Sequence, residues 1–577
     1  MCGISGIISS GHDLAPLILK MTAAQTHRGP DAQEIFLSPC KTCALGHNRL
    51  SIIDLANHAN QPMADHTGRY HIVFNGEIYN YRELRALLPE YPYRTNSDTE
   101  VILAAWDKWG NECVQHFIGM FAFAIWDNVE QKLTAFRDRL GIKPFHYYFD
   151  GTKFIFASEI KSILATGIPA KANIETWAEY LNHGLYDHLP STFFENILSL
   201  NPGHMLEMQD NQLKIFPYWE LKDHLEQNFT GSFEDAQDKY LDLLTDSIRL
   251  RLRSDVPLGL NLSGGLDSSS LLAMVDKISE DSGYLESFTV SFKDTKYDEE
   301  DFANAVPVQK KWNRTFARID AQELWGGIDT LMFHQEAPFG GIGTLSYSAL
   351  FKEIQRRNVT VVLEGQGVDE CLGGYKYYQN IQNQNAGIYQ DGTSFLRLDC
   401  ISEHIKKIKH TETKPLISSK ISQLNNALYQ DVRYNKLPRV LRMNDRLSMA
   451  YSKELREPFL DHRLVEFCFS LPDDYKIRNG QGKFLLRKAM GRILPQSILD
   501  SQKRAVVTPQ REWMCSIYKD YVLQLLNSQS FKEMGLFNVK ESIQAFENFC
   551  SGNAENGFFI WQWINARAWS KAFKIQF

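Results

Sequence analysis

The stretch VPLGLNLSGGLDSS, residues 256–269, decides the fold of the C-terminal part of the chain. An apolar run of buried-strand type passes into a tight turn at Ser263, Gly264 and Gly265, and a helical stretch follows. Backbone N–H groups at such a turn and helix N-terminus can hold a polyanion, and the glycines allow close approach. The turn is not a Walker loop, because the chain has no GxxxxGK[ST] motif. The sequence therefore predicts a strand, a phosphate-binding loop and a helix.

Apolar and helical segments alternate on both sides of this stretch. An amphipathic segment at 236–253 precedes it, and apolar runs at 287–292 and 359–363 flank a helical segment at 346–356. After about residue 401 the pattern is helical almost to the end. Such alternation is typical of parallel β-α-β units, so we predict an α/β domain over 236–577 with a helical C-terminal part.

The first 200 residues have a different pattern. Short alternating segments at 70–75, 120–126 and 154–157, separated by turn residues, predict a strand-rich α+β domain over 2–215. The polar tract 221–235 is the predicted linker between the two domains.

Composition excludes several classes of protein. The 577 residues include 44% hydrophobic and 23% charged residues, which is ordinary for a globular protein and excludes a disordered one. The net charge of −7 gives no electrostatic footprint for nucleic acid or an anionic membrane. No apolar stretch near the N-terminus is long enough to span a bilayer, and nine cysteines fit a reducing compartment, so we predict a cytoplasmic protein. Cys40 and Cys43 form a lone CxxC without a second ligand pair, which does not favour a metal site.

Cys2 follows the initiator Met1 and allows two interpretations. In the first, Cys2 is a buried small hydrophobic residue. In the second, removal of Met1 leaves a thiol and a free α-amine on one residue, and the amine takes the thiol proton. The ordinary pKa values, about 8.5 for a thiol and about 7.7–8.0 for an α-amine, suit this N-terminal nucleophile.

Several short motifs accompany Cys2. They are CGISGI at 2–7, HRGPD at 27–31, HNRLSIID at 47–54, QPM at 61–63, NGEIYN at 75–80 and SDTE at 97–100. With these motifs the chain resembles the class II glutamine amidotransferase domain, an N-terminal nucleophile hydrolase with αββα layers. The resemblance implies that Cys2 attacks the glutamine side-chain amide to form a thioester. It also implies a glutamine-binding site formed by Arg49, Leu50, Ile53, Asn75, Gly76, Glu77 and Asp98.

The resemblance assigns roles within that site. Asn75 and the Gly76 N–H would form the oxyanion hole. Arg49 would bind the α-carboxylate of glutamine, a bidentate task that suits a guanidinium. Asp98 and Glu77 would hold the α-ammonium group.

Further motifs follow the stretch at 256–269. They are SFTVSF at 287–292, YDE at 297–299, EGQGVDE at 364–370, GGY at 373–375, LRMNDRLSM at 441–449 and EPFLDHR at 457–463. SGGLDS resembles the pyrophosphate loop of ATP pyrophosphatases, and the whole set resembles the synthetase domain of glutamine-dependent asparagine synthetases. The implied fold is the adenine nucleotide alpha-hydrolase-like α/β fold. The implied activity is an ATP-dependent carbon–nitrogen ligase that uses glutamine, ATP, Mg²⁺ and an acceptor carboxylate, in an enzyme that is often a homodimer.

The resemblance also assigns residues of the synthetase site. Asp267 and Asp369 would bind Mg²⁺, which prefers carboxylate oxygens. Lys483 would neutralise phosphate charge, and Lys503 is a weaker second candidate. The pyrophosphate and adenosine contacts would come from Leu262, Ser263, Gly264, Gly265, Asp267, Ser268, Val290 and Gly365.

Two segments depart from the family pattern. The family usually has SGEGADE where this chain has EGQGVDE, and Gln366 cannot act as a base because an amide takes no proton near pH 7. Glu364 could replace the missing carboxylate in catalysis or contact the ATP ribose instead. The segment HQEAPFGGIGT at 334–344 predicts an open, adaptable loop near the acceptor, because it has three glycines.

These departures leave the acceptor open between aspartate and another carboxylate, such as the sugar uronates that related amidotransferases convert to uronamides. An intramolecular cyclase of the β-lactam synthetase type is disfavoured, because a cyclase has no use for a glutaminase site. A non-catalytic scaffold is disfavoured by the complete SGGLDSS motif and Asp369. Because free ammonia is mostly protonated at pH 7, we also predict an internal, largely apolar ammonia channel between the two domains.

Overall fold

A computed structural model describes residues 1–11, 13–279, 285–292, 296–383, 396–411, 420–501, 508–552 and 556–577. Among these residues, no helix has both the length and the hydropathy needed to cross a bilayer. Lys503 lies outside the described residues.

Twelve strands and five helices make up the N-terminal part. The strands are β1 Gly3–Ile8, β2 Ala32–Leu37, β3 Cys43–Arg49, β4 Met63–Ala64, β5 Tyr70–Ile78, β6 Gly119–Asp127, β7 Lys132–Arg137, β8 His146–Phe149, β9 Phe154–Ala157, β10 Ile197–Ser199, β11 His204–Gln209 and β12 Gln212–Pro217. The helices are α1 Ala15–Ala24, α2 Tyr81–Leu87, α3 Asp98–Trp109, α4 Ile160–Leu164 and α5 Ile174–His183. The strands predicted at 70–75, 120–126 and 154–157 are confirmed as β5, β6 and β9.

The N-terminal strands form two stacked antiparallel sheets. Their orders are β10-β8-β9-β1-β3-β2 and β12-β11-β7-β6-β5-β4. Apolar side chains from both sheets, such as Ile4, Leu45, Val73 and Trp126, share one core cluster between them. Helix α1 packs on β1 and β3, and α3 packs on β5, so helices cover both outer faces. The αββα layering predicted for this part is confirmed.

The C-terminal part contains one five-stranded sheet and the remaining helices. The strands are β13 Leu258–Asn261, β14 Leu285–Ser291, β15 Trp312–Arg318, β16 Val361–Leu363 and β17 Glu454–Arg456. The helices are α6 Phe233–Arg251, α7 Leu266–Ile278, α8 Glu300–Asn304, α9 Ala321–Gly326, α10 Ile328–Gln335, α11 Ile342–Arg356, α12 Val368–Leu372, α13 Glu403–Lys406, α14 Gln423–Gln430, α15 Leu437–Ala450, α16 His462–Ser470, α17 Asp473–Lys476, α18 Phe484–Ala489, α19 Gln496–Leu499, α20 Gln510–Met514, α21 Lys519–Asn527, α22 Gln529–Glu533, α23 Val539–Cys550 and α24 Phe558–Phe573.

The strand order β15-β14-β13-β16-β17 is parallel throughout, as the alternating pattern predicts. The chain order reverses at β13, which has β14 on one side and β16 on the other. In parallel α/β sheets, ligands bind beyond the carboxyl ends of the strands at such a reversal. The SGGLDS loop follows β13 and therefore lies at that position.

The tract 221–235, which the sequence predicts as a linker, connects the two parts of the chain and contains buried side chains. Leu221 and Leu225, two apolar residues within the polar tract, are buried in a core cluster together with residues of α6. Helix α6 begins at Phe233, and Ser232 and Asp235 form a reciprocal capping box at its N-terminus. The tract is packed against the C-terminal part because its two leucines bury apolar surface there.

A buried ion network joins the two parts of the chain. The Arg28 guanidinium contacts Glu159 at 2.9 Å and Asp445 at 2.8 Å, and Arg446 contacts Glu336 at 3.0 Å. Lys161 pairs with Glu159 and with Glu336. Each of these charges has partners of opposite sign, which is the condition under which charges are tolerated in a low-dielectric interior.

Candidate active sites

Cys2 lies directly before β1 and is buried beside β5. Its backbone N–H donates to Asn75 Oδ1 at 3.0 Å, and its Sγ is 4.0 Å from the carbonyl oxygen of Leu50. Burial raises the pKa of the Cys2 thiol above its ordinary value. A nucleophilic role therefore requires a base that removes the thiol proton.

Asn75 and Gly76 present the donors that an oxyanion hole needs. Asn75 Nδ2 is buried and has no hydrogen-bond partner among the described residues, while Oδ1 of the same side chain holds Cys2. Gly76 has φ +152°, and a Cβ there would lie 2.0 Å from the Met120 carbonyl oxygen. A side chain at Gly76 would displace β6, so glycine keeps this backbone in place next to Asn75.

Two buried carboxyl groups lie near Cys2 on β5 and α3. Asp98 begins α3 and accepts the Ile78 N–H at 2.9 Å, and burial raises its pKa to about 6. Burial and the nearby Glu454 raise the pKa of Glu77 well above the ordinary range. With a pKa of about 6, the Asp98 carboxylate is mostly ionised at pH 7.

Arg49 ends β3 and is held by oxygen atoms of the following loop. Its Nη1 donates to the Ala56 carbonyl and to Asn60 Oδ1, both at 2.8 Å. Leu50 and Ile53 are buried in one core cluster with Met1. The folded chain thus brings the residues of the predicted glutamine site into one region around Cys2.

Sequence reasoning missed two residues of this region, Glu454 and Arg456 of β17. The Met1 amino group is 2.9 Å from Glu454 Oε2, and both groups are fully buried. Arg456 Nη2 is 3.4 Å from Glu77 Oε2. The Nε atom of the same guanidinium pairs with Glu454. Nothing in the sequence places β17 against Cys2, because the contact depends on how the two parts pack.

The predicted pyrophosphate loop connects β13 to α7. Ser268 Oγ receives the Ser263 N–H at 3.1 Å and lies 3.0 Å from Ser263 Oγ, which closes the loop. Gly264 has φ +70°, and a Cβ there would lie 2.5 Å from the backbone of Phe302. Gly265 is the first residue before α7, so the loop opens onto the positive end of a thirteen-residue helix.

The residues predicted to contact adenosine line one cleft beside this loop. Leu262 donates its N–H to the Phe288 carbonyl at 2.8 Å and accepts from Thr289 Oγ1 at 2.6 Å. Val290 and Gly365 line the same cleft, together with Ser263, Asp267, Ser268, Glu364, Gln366 and Asp369.

Lys483 lies between the two aspartates predicted to bind Mg²⁺. Its Nζ is 2.5 Å from Asp267 Oδ2 and 2.7 Å from Asp369 Oδ1. Gly374 covers this group, and a Cβ there would lie 1.9 Å from Asp369 Oδ1. Two carboxylates that converge on one cation beside a phosphate-binding loop fit a hard divalent ion.

Glu364 follows β16 and has hydrogen bonds from three elements. Its carboxylate accepts from the Tyr347 hydroxyl of α11 and from Asn444 Nδ2 of α15, the latter at 3.1 Å. Its N–H donates to the Arg456 carbonyl of β17. Burial raises the pKa of Glu364 to about 7. The carboxyl group is therefore balanced between its two protonation states near neutral pH.

The prediction of an open, adaptable loop at 334–344 is wrong for most of its length. Glu336 is buried, and its carboxylate caps the N-terminus of α4 through Ile160 N–H at 2.9 Å. Phe339 exchanges backbone hydrogen bonds with the Asn565 side chain of α24. The segment is ordered because Glu336 belongs to the ion network between the two parts.

Arg28 contacts Cys2 in the first site and Asp445, whose sequence neighbour contacts the second site. Its Nε donates to the Cys2 carbonyl at 3.0 Å, and its Nη1 and Nη2 contact Asp445. Asp445 follows Asn444, which donates to Glu364. Cys2 and Glu364 are thus linked by the hydrogen bonds of Arg28 and Asn444 and by the peptide bond that joins Asn444 to Asp445 in α15.

The isolated CxxC has no further ligands. Cys40 is exposed and contacts Ser38 and Thr42, whereas Cys43 is buried in β3. No group of potential metal ligands in the described part of the chain includes either cysteine.

Comparisons with known proteins agree with this two-site arrangement. A family model described as a glutamine amidotransferase domain matches residues 1–219, and one described as asparagine synthase matches residues 239–571. Glutamine-hydrolyzing asparagine synthetase 1 of Bacillus subtilis is 30% identical, over 99% of this chain and 96% of its own. Asparagine synthetase 3 of the same organism is 32% identical, over 87% and 86%. Amidase chry2 of Gibberella zeae is 27% identical, over 95% of both chains.

Proposed function

The chain belongs to the asparagine synthase family of glutamine-hydrolysing, ATP-dependent ligases, and from this premise we propose that it moves the amide nitrogen of glutamine onto aspartate. The observation that supports this most is that Arg28 and α15 join the two sites. Arg28 contacts both the Cys2 carbonyl and Asp445, and the adjacent Asn444 holds Glu364. A single unit that contains a nucleophile site and a nucleotide site is suited to passing ammonia between them.

In the proposed first half-reaction, Cys2 attacks the side-chain amide of glutamine. Removal of Met1 would free the Cys2 α-amine to take the thiol proton and would vacate space beside Leu50 and Ile53. Asn75 Nδ2 and the Gly76 N–H would donate to the developing oxyanion, which is where such donors lower the barrier. Asp98 would hold the α-ammonium group. The amide nitrogen leaves as ammonia with the thiol proton, and water then hydrolyses the thioester to release glutamate and restore the Cys2 thiol.

In the proposed second half-reaction, ATP binds with its phosphates over the loop at 263–268 and the N-terminus of α7. Asp267 and Asp369 would hold Mg²⁺, which would offset phosphate charge when it is bound. Lys483 would stabilise the charge that develops as the acceptor carboxylate attacks the α-phosphorus and pyrophosphate departs. Ammonia then attacks the acyl-adenylate, and Glu364 takes the excess proton as amide and AMP form.

A second candidate acceptor is a hydroxylated carboxylate, such as a sugar uronate. The described residues that line the cleft include no lysine or arginine for the α-carboxylate of aspartate. They do include several uncharged hydrogen-bonding side chains, namely Asn261, Ser346, Tyr347 and Gln366. Such groups suit sugar hydroxyls better than a second carboxylate.

The acceptor is tested by the release of AMP and pyrophosphate with glutamine, MgATP and L-aspartate as the sole acceptor. Release well above a blank without acceptor, together with asparagine, supports the first proposal. No release from a protein with normal glutaminase activity, followed by release with a uronate, would replace aspartate with the second candidate.

The raised pKa of Asp98 predicts that glutamine binding weakens at acid pH. With its pKa raised to about 6, its charge is present above pH 6 and is lost as the pH falls through 6. We expect KM for glutamine to rise about tenfold between pH 7 and pH 5, with a smaller change in kcat, in a glutaminase assay without ATP. Asp98→Asn should give a high KM with little pH dependence. An unchanged KM at pH 5 in the unsubstituted enzyme would contradict this role.

Glu364 predicts a rise in amide synthesis as the pH increases through about 7. Its ionised form is the proton acceptor, so a carboxyl group with a pKa of about 7 gains activity on the alkaline side. Tyr347→Phe removes a hydrogen bond that favours the ionised form, so the rise should move to higher pH. Glu364→Gln should lose the rise. If Tyr347→Phe does not change the pH profile of amide synthesis, Glu364 would instead be assigned to binding the ATP ribose.

A further inference from the structure

A cluster of potential metal ligands lies outside both sites. Glu179 and His183 are four residues apart on α5, and therefore lie on one face of that helix. His410, which follows α13 in the C-terminal part, faces them. One ligand atom from each of the three residues lies within 4.8 Å of the other two. The cluster thus spans the boundary between the two parts of the chain.

The cluster is held in position by neighbouring backbone. Glu179 is buried, and its Oε1 accepts the Thr411 N–H at 2.6 Å, while its Oε2 is 2.6 Å from His410 Nδ1. Close by, the Asn182 side chain donates to the Ile405 carbonyl at 2.9 Å. These contacts fix the carboxylate and hold α5 against the segment that carries His410.

A third imidazole, that of His188, lies five residues after His183 in the sequence. His188 is only 5% exposed, yet neither ring nitrogen has a hydrogen-bond partner among the described residues. A buried imidazole with two unsatisfied nitrogens is costly by itself, and an imidazole nitrogen is a common metal ligand.

We propose that Glu179, His183 and His410 bind one divalent transition-metal ion of the Zn²⁺ type, with His188 available as a fourth ligand. Zn²⁺ binds imidazole nitrogen at about 2.0–2.1 Å and carboxylate oxygen at about 2.0–2.2 Å. Tetrahedral ligand atoms at these lengths are about 3.3 Å apart, so the His183 and His410 rings, whose centroids are 4.2 Å apart, would rotate to converge on one ion. Imidazole ligands favour such an ion over Mg²⁺, which prefers oxygen.

The ion would act as a structural clamp between α5 and the segment 403–411. Both active sites lie elsewhere, so neither half-reaction requires the ion. The competing explanation is a plain ion pair between Glu179 and His410, which would need no metal and would be insensitive to chelators.

The test is calorimetric titration of the chelator-treated full-length protein with ZnCl2 in millimolar MgCl2, which occupies the synthetase site. The double variant His183→Gln/His410→Gln removes two ligands. His404→Gln, an exposed histidine on α13 outside the cluster, is the matched control. Circular dichroism melts without metal check that all three proteins are folded.

We expect one Zn²⁺ per chain in the unsubstituted protein and in His404→Gln. The double variant should bind at least about 100-fold more weakly, and Zn²⁺ should raise the melting temperature of the first two proteins only. Equal binding by the double variant would place the ion elsewhere, and no binding by the unsubstituted protein would leave only the ion pair. Either result overturns the proposal.

Discussion

Cys2→Ala abolishes glutamine-dependent synthesis but leaves ammonia-dependent synthesis close to that of the unsubstituted enzyme. Without the thiol no thioester forms, and loss of a catalytic nucleophile costs at least about 10³-fold in rate. The synthetase site loses none of its own groups, and the link from Cys2 to Asp445 runs through the Cys2 backbone carbonyl that Arg28 binds. Since alanine keeps that carbonyl, the link to Asp445 also remains.

The measurement is amide and AMP formation with glutamine and, separately, with ammonium chloride. Cys40→Ser is the matched control, because Cys40 is an exposed thiol remote from both sites. Loss of both activities in Cys2→Ala would show a structural role for Cys2. Retention of glutamine-dependent synthesis would remove Cys2 from the mechanism.

Lys483→Ala stops pyrophosphate release with either nitrogen donor while glutaminase activity remains. Lys483 Nζ lies between the carboxylates of Asp267 and Asp369, and Gly374 packs against this group. Its removal takes positive charge from the position where phosphate charge develops, a loss typically worth about 10²–10³ in rate.

Acceptor-dependent exchange of labelled pyrophosphate into ATP measures this step without ammonia. Lys488→Ala is the matched control, because Lys488 is exposed on α18, the helix that begins directly after Lys483. Lys483→Arg should recover part of the exchange, because the charge remains but the planar group fits the two aspartates less well. Normal exchange by Lys483→Ala would contradict the assigned role.

The sequence predicts the fold where the local pattern is strong. The strand, loop and helix at 256–269 are confirmed, because an apolar strand followed by a glycine turn has few alternative structures. The tract 221–235 was predicted as a linker because its polar residues outnumber Leu221 and Leu225. Those two side chains determine its packing, which composition alone does not reveal.

The residues of the two sites also fall into those that local sequence predicts and those that it does not. The motifs identify Cys2, Asn75, Asp267 and Asp369 as candidates through their resemblance to those of known families. Contacts made across the boundary between the two parts are not encoded locally. Glu454 reaches Met1, and Glu336 caps α4 instead of lining an acceptor loop, because distant elements pack there.

The transfer of nitrogen between the two sites is tested most directly with glutamine labelled with ¹⁵N in its side-chain amide. The enzyme is given MgATP, an accepted carboxylate and a large excess of unlabelled ammonium chloride, and the ¹⁵N content of the amide product is measured. The account predicts that most product keeps the label, because ammonia passes inside the protein from Cys2 to the acyl-adenylate. Dilution of the label to its share of the total ammonia would contradict an internal transfer.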